Sequence, residues 1–358
     1  MSARQPPVTL TDARAVTAAG QGVAAALAAV TTGTRASRRH PTLSVVNGDE
    51  PARVYHAPVW HEHTAVERGI ALIDGLAGID DEPAAEPADT VWLVQPQRPL
   101  PDALGASRQQ LGDRVATAFG SAVQWAPTAS GAVPVLTELR RALIERRLQS
   151  AWLVAVQSLV GSDRIRDMGD QYPIQTQGSE GMIPGEGAVA LRLTAEAAEP
   201  GPRIRGLASR DEGQEQPAGP RMSGLANAIQ AAVSEAGCEL NRITHCYSDA
   251  TGDTASELEW WQTINQLWPT QLPDDQRRAV ELGLLTPRSL DSPAPQRRQL
   301  SQTLGYTSVA GALLQLALAW RGRRWDSRWA EAELAPAPGP ALVTEHPLAA
   351  YRHAVLMD

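Results

Sequence analysis

His61-Glu62-His63, with His56 just upstream, is the stretch of this sequence richest in metal-ligand side chains. On a strand, alternate residues share a face, so His61 and His63 could hold one ion between them. Zinc wants about three or four protein ligands, and no cysteine or further histidine follows at a useful interval. The reading is a polar surface loop without metal. A second grouping is acidic: Asp249, Asp253, Glu257 and Glu259. Paired carboxylates do glycoside chemistry when they face one cleft about 5–10 Å apart. This spacing is read instead as a helix start, with Asp253 or Thr254 as N-cap and the acids near the positive helix end. The third grouping is nucleophilic, Cys238 and Cys246. His245 and Cys246 are adjacent, so on a strand they point to opposite faces and cannot form a nucleophile–base pair. Two cysteines make no disulfide framework, suit a reducing compartment, and read as small core residues.

The chain contains no lysine, so all 32 basic residues are arginine. That removes every chemistry resting on a lysine amine, including phosphate-loop lysines, Schiff bases and pyridoxal phosphate enzymes. No cofactor is expected. A formal net charge of -8 argues against nucleic acid, which wants a basic face. Asp12 and Arg14 interrupt the N-terminal stretch where a secretion signal needs an unbroken apolar run. The longest apolar run, Ser308 to Trp320, is too short and too broken by Gln315 to span roughly 30 Å of hydrocarbon. A cytoplasmic protein that does not enter membranes is expected.

The elements that would position these groups alternate along the chain. Strands are expected at Asp89 to Pro96, Ser121 to Trp125, Ala151 to Leu159 and Gly187 to Leu193. Helices are expected at Val23 to Val30, at Asp102 to Phe119 and after the turn at 127–131, with Pro134 in the first turn. After the Gly- and Pro-rich stretch around Glu199–Pro202 the same grammar repeats. A helix over Met222 to Gly237, a strand at ITHCYSD, a nearly all-apolar helix at SVAGALLQLALAW and a final strand HAVLMD follow one another. Length and repetition predict an α/β protein of two similar halves, 1–200 and 201–358, with buried sheets and the all-apolar helix at the centre.

Several segments together resemble the thiolase-like fold, specifically its β-ketoacyl synthase branch. Pro184-Gly185-Glu186-Gly187 before a strand is similar to the ketosynthase PGEGA segment. The opening VTLTDARAVTAAGQGVAAALAAVTTG resembles the first strand, turn and helix of that family. TASGAVPVLTELRRALIERRLQSAWLVAVQSLV resembles the nucleophile turn, the helix behind it and the next strand, and LGYTSVAGALLQLALA the central helix of the second half. The resemblance implies duplicated α/β halves in five layers (αβαβα). It also implies a cysteine at the head of a buried helix, where the dipole favours a thiolate. The matching residue here is Thr128, or Ser130 in a shifted register. The two family histidines are matched by Ser248 and Tyr306, the family lysine is absent, and the glycine-rich loop before the last strand reads Glu345-His346-Pro347-Leu348.

With the chemistry missing and the architecture kept, the resemblance implies a pseudo-enzyme that scaffolds a partner or forms a heterodimer with another ketosynthase-like chain. Two other roles are implied: a chain-length-factor-like subunit that meets an acyl carrier protein, and an adaptor or chaperone of a bacterial secretion effector, as in type VI secretion. An enzyme with an altered site would centre on Thr128, Ser130, Ser248 and Tyr306. Ketosynthase-like proteins pair through the strand before the nucleophile turn, here around Val123, Gln124 and Trp125, and an apolar edge left unpaired is a liability. Trp325 and Trp329, in the polar stretch RGRRWDSRWAEAE, are further interface candidates, since tryptophan anchors interfaces.

Overall fold

A computed structural model describes residues 6–47, 50–60, 68–79, 85–96, 108–195, 201–211, 223–269, 274–284, 294–331, 339–347 and 351–358. The first half runs β1 (Val8–Thr17), β2 (Gly20–Gln21), α1 (Val23–Thr32), β3 (Arg38–Asn47), β4 (Glu50–His56), α2 (Arg68–Ala77), β5 (Thr90–Pro96) and α3 (Arg108–Phe119). It continues through β6 (Val123–Thr128), α4 (Val133–Ile144), β7 (Ser150–Ser158), α5 (Ser162–Gly169) and β8 (Glu186–Thr194). The second half runs β9 (Arg203–Asp211), α6 (Gly224–Ala236), β10 (His245–Ser248), α7 (Thr254–Leu267), α8 (Asp274–Glu281) and β11 (Gln296–Gln299). It ends with α9 (Ser301–Leu304), α10 (Val309–Glu331), β12 (Ala341–Glu345) and β13 (Tyr351–Met357).

The strands join in the order β11-β10-β12-β13-β9-β1-β8-β7-β5-β6, with β2 attached to β1. Leaving out β2 and the separate two-stranded sheet β3-β4, each half's strands in this order read third, second, fourth, fifth, first. In both sets the second strand pairs in parallel with the third and fourth, and the fifth runs antiparallel to its neighbours. The sets meet through their first strands, where Val8 opposes Ile204 and Thr9 opposes Arg203. One topology is therefore used twice.

Side-chain alternation along the strands sorts the core into layers. On β7, Ala151, Leu153 and Ala155 face the central core, while Trp152, Val154 and Val156 face α2 and α3. On β13, Val355 and Met357 face the same central core, while Ala354 and Leu356 face α6. Helices α1, α4 and α10 fill the middle layer, and α10 packs against strands of both halves. The apolar segment Ser308 to Trp320 is central, as its composition requires. The helix then continues through the arginine-rich stretch to Glu331. Among the described residues, no helix is long and apolar enough to cross a membrane.

The Pro184-Gly185-Glu186-Gly187 segment ties the halves together. Gly185 N–H donates to Tyr306 O at 2.9 Å, and Tyr306 N–H donates to Ile183 O at 2.7 Å. A Cβ on Gly185 would lie 2.8 Å from the Gly305 carbonyl carbon, and one on Gly305 would lie 2.7 Å from Gly185 Cα. Two glycines are needed because two backbones press together there. Glu186, fully buried, accepts from Val59 N–H at 2.6 Å, from Arg68 at 2.7 and 2.9 Å and from the Ser158 hydroxyl at 2.9 Å. A buried carboxylate of this kind is tolerated because it is paired and hydrogen-bonded.

Other expectations are corrected. His56 is not in a surface loop: it is buried at the end of β4, with its ring 4.7 Å from that of His40. His61-Glu62-His63 lies outside the described residues. Asp253 does cap α7, accepting from Ser256 N–H at 2.8 Å, but Asp249 takes no part in that helix start. The tryptophans divide: Trp268 and Trp320 are core, whereas Trp261 and Trp325 are 63% and 50% exposed. Trp329 belongs to α10, with its side chain outside the described set. Strand β6 ends the sheet order, so its outer edge has no strand partner among the described residues. Trp125 there lies under the Arg108 guanidinium, 4.4 Å from the ring centroid.

Removing one member of a buried ion pair strands the other, at a cost of about 3–5 kcal/mol. Glu186→Ala should accordingly lower the unfolding free energy measured in urea by that amount at unchanged slope. A loss below about 1 kcal/mol would show that this carboxylate does not hold α2 and the residues around Val59 to β8.

Candidate functional site

Helix α4 begins in the protein interior, which raises the question of what satisfies its first amide groups. Its N-cap is Ala132, whose side chain has no oxygen to offer. The partner is Glu345, the last residue of β12. Ala132 N–H donates to Glu345 Oε1 at 2.6 Å and Val133 N–H to Oε2 at 3.0 Å. The carboxyl fills the place where a side chain at position 131 would lie. Gly131 has φ 102°, and a Cβ built on it would fall 2.5–2.6 Å from the Glu345 carboxyl atoms. At its far end, α4 is tied to the second half as well: Arg140 donates to Glu235 Oε1 at 2.8 Å, and Leu207 N–H donates to Oε2 at 2.9 Å.

Sheet register brings the remaining groups together. Ser248 on β10 pairs with Thr344 on β12, so Asp249 and Glu345 follow side by side at the C-terminal ends of adjacent parallel strands. Ligand sites of open α/β sheets sit at such ends. Asp249 Oδ1 accepts from His346 N–H at 2.8 Å and lies 3.3 Å from His346 Nδ1. Burial, and then the Asp249 charge, push the Glu345 carboxyl up to about 8. His353 on β13 is buried and donates from Nε2 to Ser130 O, so its Nδ1 accepts from the Ser209 hydroxyl at 2.7 Å. That is the neutral tautomer, and burial lowers the His353 pKa accordingly.

The residues matched to the family's catalytic positions lie around this cluster. Thr128 ends β6; its hydroxyl donates to Gly131 O and accepts from Ser130 N–H at 3.3 Å. Ser248 is buried and accepts from Ala250 N–H at 3.3 Å. Tyr306 is buried with its hydroxyl 3.5 Å from His346 O. Its ring packs among Leu43, Val54, Ile174 and Met182, so this part of the interior is filled. Burial pushes the Cys246 thiol up to about 12 and raises the Cys238 thiol, so neither favours a thiolate. Among the described residues, no group of three His, Cys, Asp or Glu side chains could hold a metal ion.

Sequence reasoning treated Glu345-His346 only as the loss of a glycine loop, and placed Asp249 at a helix start. The signal that could have found them is positional. Each acid follows directly on an apolar strand, HCYS or ALVT, at the end where α/β sheets place their sites.

Titration supplies a test. Glu345 keeps its proton in the folded chain up to about pH 8, whereas in the unfolded chain it is lost near its ordinary 4.5. Between those values the folded state holds more protons, so stability falls as pH rises. His353 acts the other way below its ordinary 6.5: held neutral in the fold, it costs stability as pH falls. Between pH 6.5 and 8 only the Glu345 effect remains, at most about 2 kcal/mol for one proton. Wild-type stability should decline across that window in chemical denaturation, and Glu345→Gln should stay level. A parallel decline in both proteins would exclude Glu345 as the titrating group.

In sequence, no family profile and no curated protein matches this chain. Its fold does match solved structures over nearly the full length of both partners. The ishigamide ketosynthase/chain length factor superposes with a TM-score of 0.65 at 14% identity, covering 98% of this chain and 99% of the other. A type II polyketide synthase acyl carrier protein in complex with its ketosynthase, bound to a hexaketide, gives a TM-score of 0.70 at 12% identity, over 99% of both chains. A β-ketoacyl synthase from Burkholderia phymatum gives 0.64 at 14%, over 98% and 99%. Together with the twice-used sheet order and the central helices, these likenesses establish that the chain has the thiolase-like fold of ketosynthases and chain length factors.

Proposed function

We propose that this chain is a non-catalytic subunit that pairs with a ketosynthase-like chain and shapes or scaffolds it, in the manner of a chain length factor. The observation that carries this reading is the Glu345 carboxyl on the first amides of α4. Condensing chemistry in this fold needs a thiolate at that helix head, where the dipole lowers the thiol pKa. Here the place is taken by a carboxyl group, both cysteines lie elsewhere, and no lysine exists anywhere in the chain. The glycine-rich loop that in the resembled family helps steady an oxyanion, worth about 3–4 kcal/mol of barrier, reads Glu345-His346-Pro347-Leu348 here, without a glycine.

The pairing surface in this reading is the outer edge of β6, with Val123, Gln124 and Trp125. That edge ends the sheet and carries an aromatic residue, and such edges call for cover. Trp325, half exposed at the polar end of α10, is a second anchor. Similar solved structures include a ketosynthase/chain length factor and a ketosynthase held with its acyl carrier protein. Both kinds of chain are therefore candidate partners.

Affinity purification of the tagged full-length protein from its own host, followed by mass spectrometry, should recover an intact ketosynthase, with an acyl carrier protein in the same assembly. Recovery of a degenerate thiolase-like chain with a toxin or secretion component would establish the adaptor role instead. Light scattering on the purified protein should not show a well-behaved monomer. Thr128→Cys should show no acyl transfer from an acyl carrier thioester, because the introduced thiol replaces a hydroxyl turned onto Gly131 O while Glu345 still occupies the head of α4. Measurable transfer by that variant would overturn the non-catalytic reading.

A further inference from the structure

We propose that the head of α4 is a carboxyl-binding site whose resident ligand is the chain's own Glu345, and that truncating this side chain lets the site accept a free monocarboxylic acid matching the atoms removed. The inference does not depend on which chain pairs with this one. Three observations carry it. The carboxyl is held as a ligand would be held, with one oxygen on each of two successive amides, Ala132 and Val133, at 2.6 and 3.0 Å. The chain leaves the volume open for it: Gly131 has φ 102°, and any Cβ there would collide with all three carboxyl atoms. The surroundings are polar and closed. Asp249 stands beside the site, a Cβ on Gly311 of α10 would lie 3.2 Å from its Oδ2, and His346 Nε2 is buried without a hydrogen-bond partner.

Helix heads bind small anions because free amides and the dipole converge there. Most such sites face solvent and compete with water. This one is buried and filled by a tethered group, Glu345 being 2% exposed. Tethering removes the translational cost of capturing a free ligand. The carboxyl also links β12 of the second half to α4 behind β6 of the first, so the site doubles as a latch between halves.

Ligand size gives the test its selectivity. Glu345→Ala removes Cγ and the carboxyl group, which together are the atoms of acetate. Glu345→Gly removes one carbon more, matching propionate. Both variants, wild type and Glu345→Gln would be melted against formate, acetate and propionate, with chloride at equal ionic strength as the reference. A ligand that binds only the folded state raises the melting temperature saturably. The expected result is a saturable rise with acetate exceeding that with propionate for Glu345→Ala, the reverse order for Glu345→Gly, and none in wild type or Glu345→Gln. An equal rise in wild type, or no response in either truncated variant, would overturn the proposal. If a truncated variant is recovered folded only when its matching acid is present, that dependence supports the proposal. Failure of both to fold even with the matching acid counts against it.

Discussion

A helix that starts inside a protein must find acceptors for amides that water cannot reach, and this constraint organises the centre of the molecule. Ala132 supplies no capping oxygen, so the acceptor comes from the other half of the chain, as Glu345 at the end of β12. Its neighbours then follow. Gly131 must lack a side chain, Asp249 must be held by His346, and burial forces Glu345 to keep a proton that an exposed glutamate would lose. The Arg140–Glu235 pair at the other end of α4 fixes the same helix to the same half. A helix of the first half is thus anchored to the second half at both ends.

The duplicated sheet explains why such an anchor matters. Among the described residues, the two strand sets pair directly at β1 and β9, through two residue pairs. The middle layer and the Gly185–Gly305 contact also hold the halves together. In a condensing enzyme of this fold the same middle layer would carry a reactive thiol. Here it carries hydrogen bonds that secure the structure, and the cluster where catalytic groups would stand is buried and closed. In the proposed reading the chain acts through its surface, which places the edge of β6 and the exposed tryptophans at the centre of that role.

Much of the architecture was legible in the residues. The apolar strand DTVWLVQP, the glycine-closed helix ending at Gly237 and the all-apolar run Ser308 to Trp320 each specify one element through local periodicity. The Pro184-Gly185-Glu186-Gly187 segment was visible because close backbone approach and a paired buried acid leave few residue choices. Strand β12 was not anticipated, because five residues ending in an acid give too short a signal, and its parallel partner β10 lies far back along the chain. His56 was read as surface for a related reason: a lone histidine carries no sign of the His40 ring that covers it.

Composition and pattern alone determined that lysine chemistry is impossible and that two α/β halves enclose an apolar helix. These properties depend on residue type and on spacing of a few positions, which a linear string records. Tertiary structure alone decided what occupies the head of α4. Glu345 meets Ala132 across 213 positions of sequence, and no local pattern encodes that meeting. It arises because two parallel strands share a register that sets Asp249 beside Glu345, and because the head of α4 points at that pair of strand ends. A carboxyl that looks like part of a surface loop in the string becomes the buried ligand of a helix once the sheet is assembled.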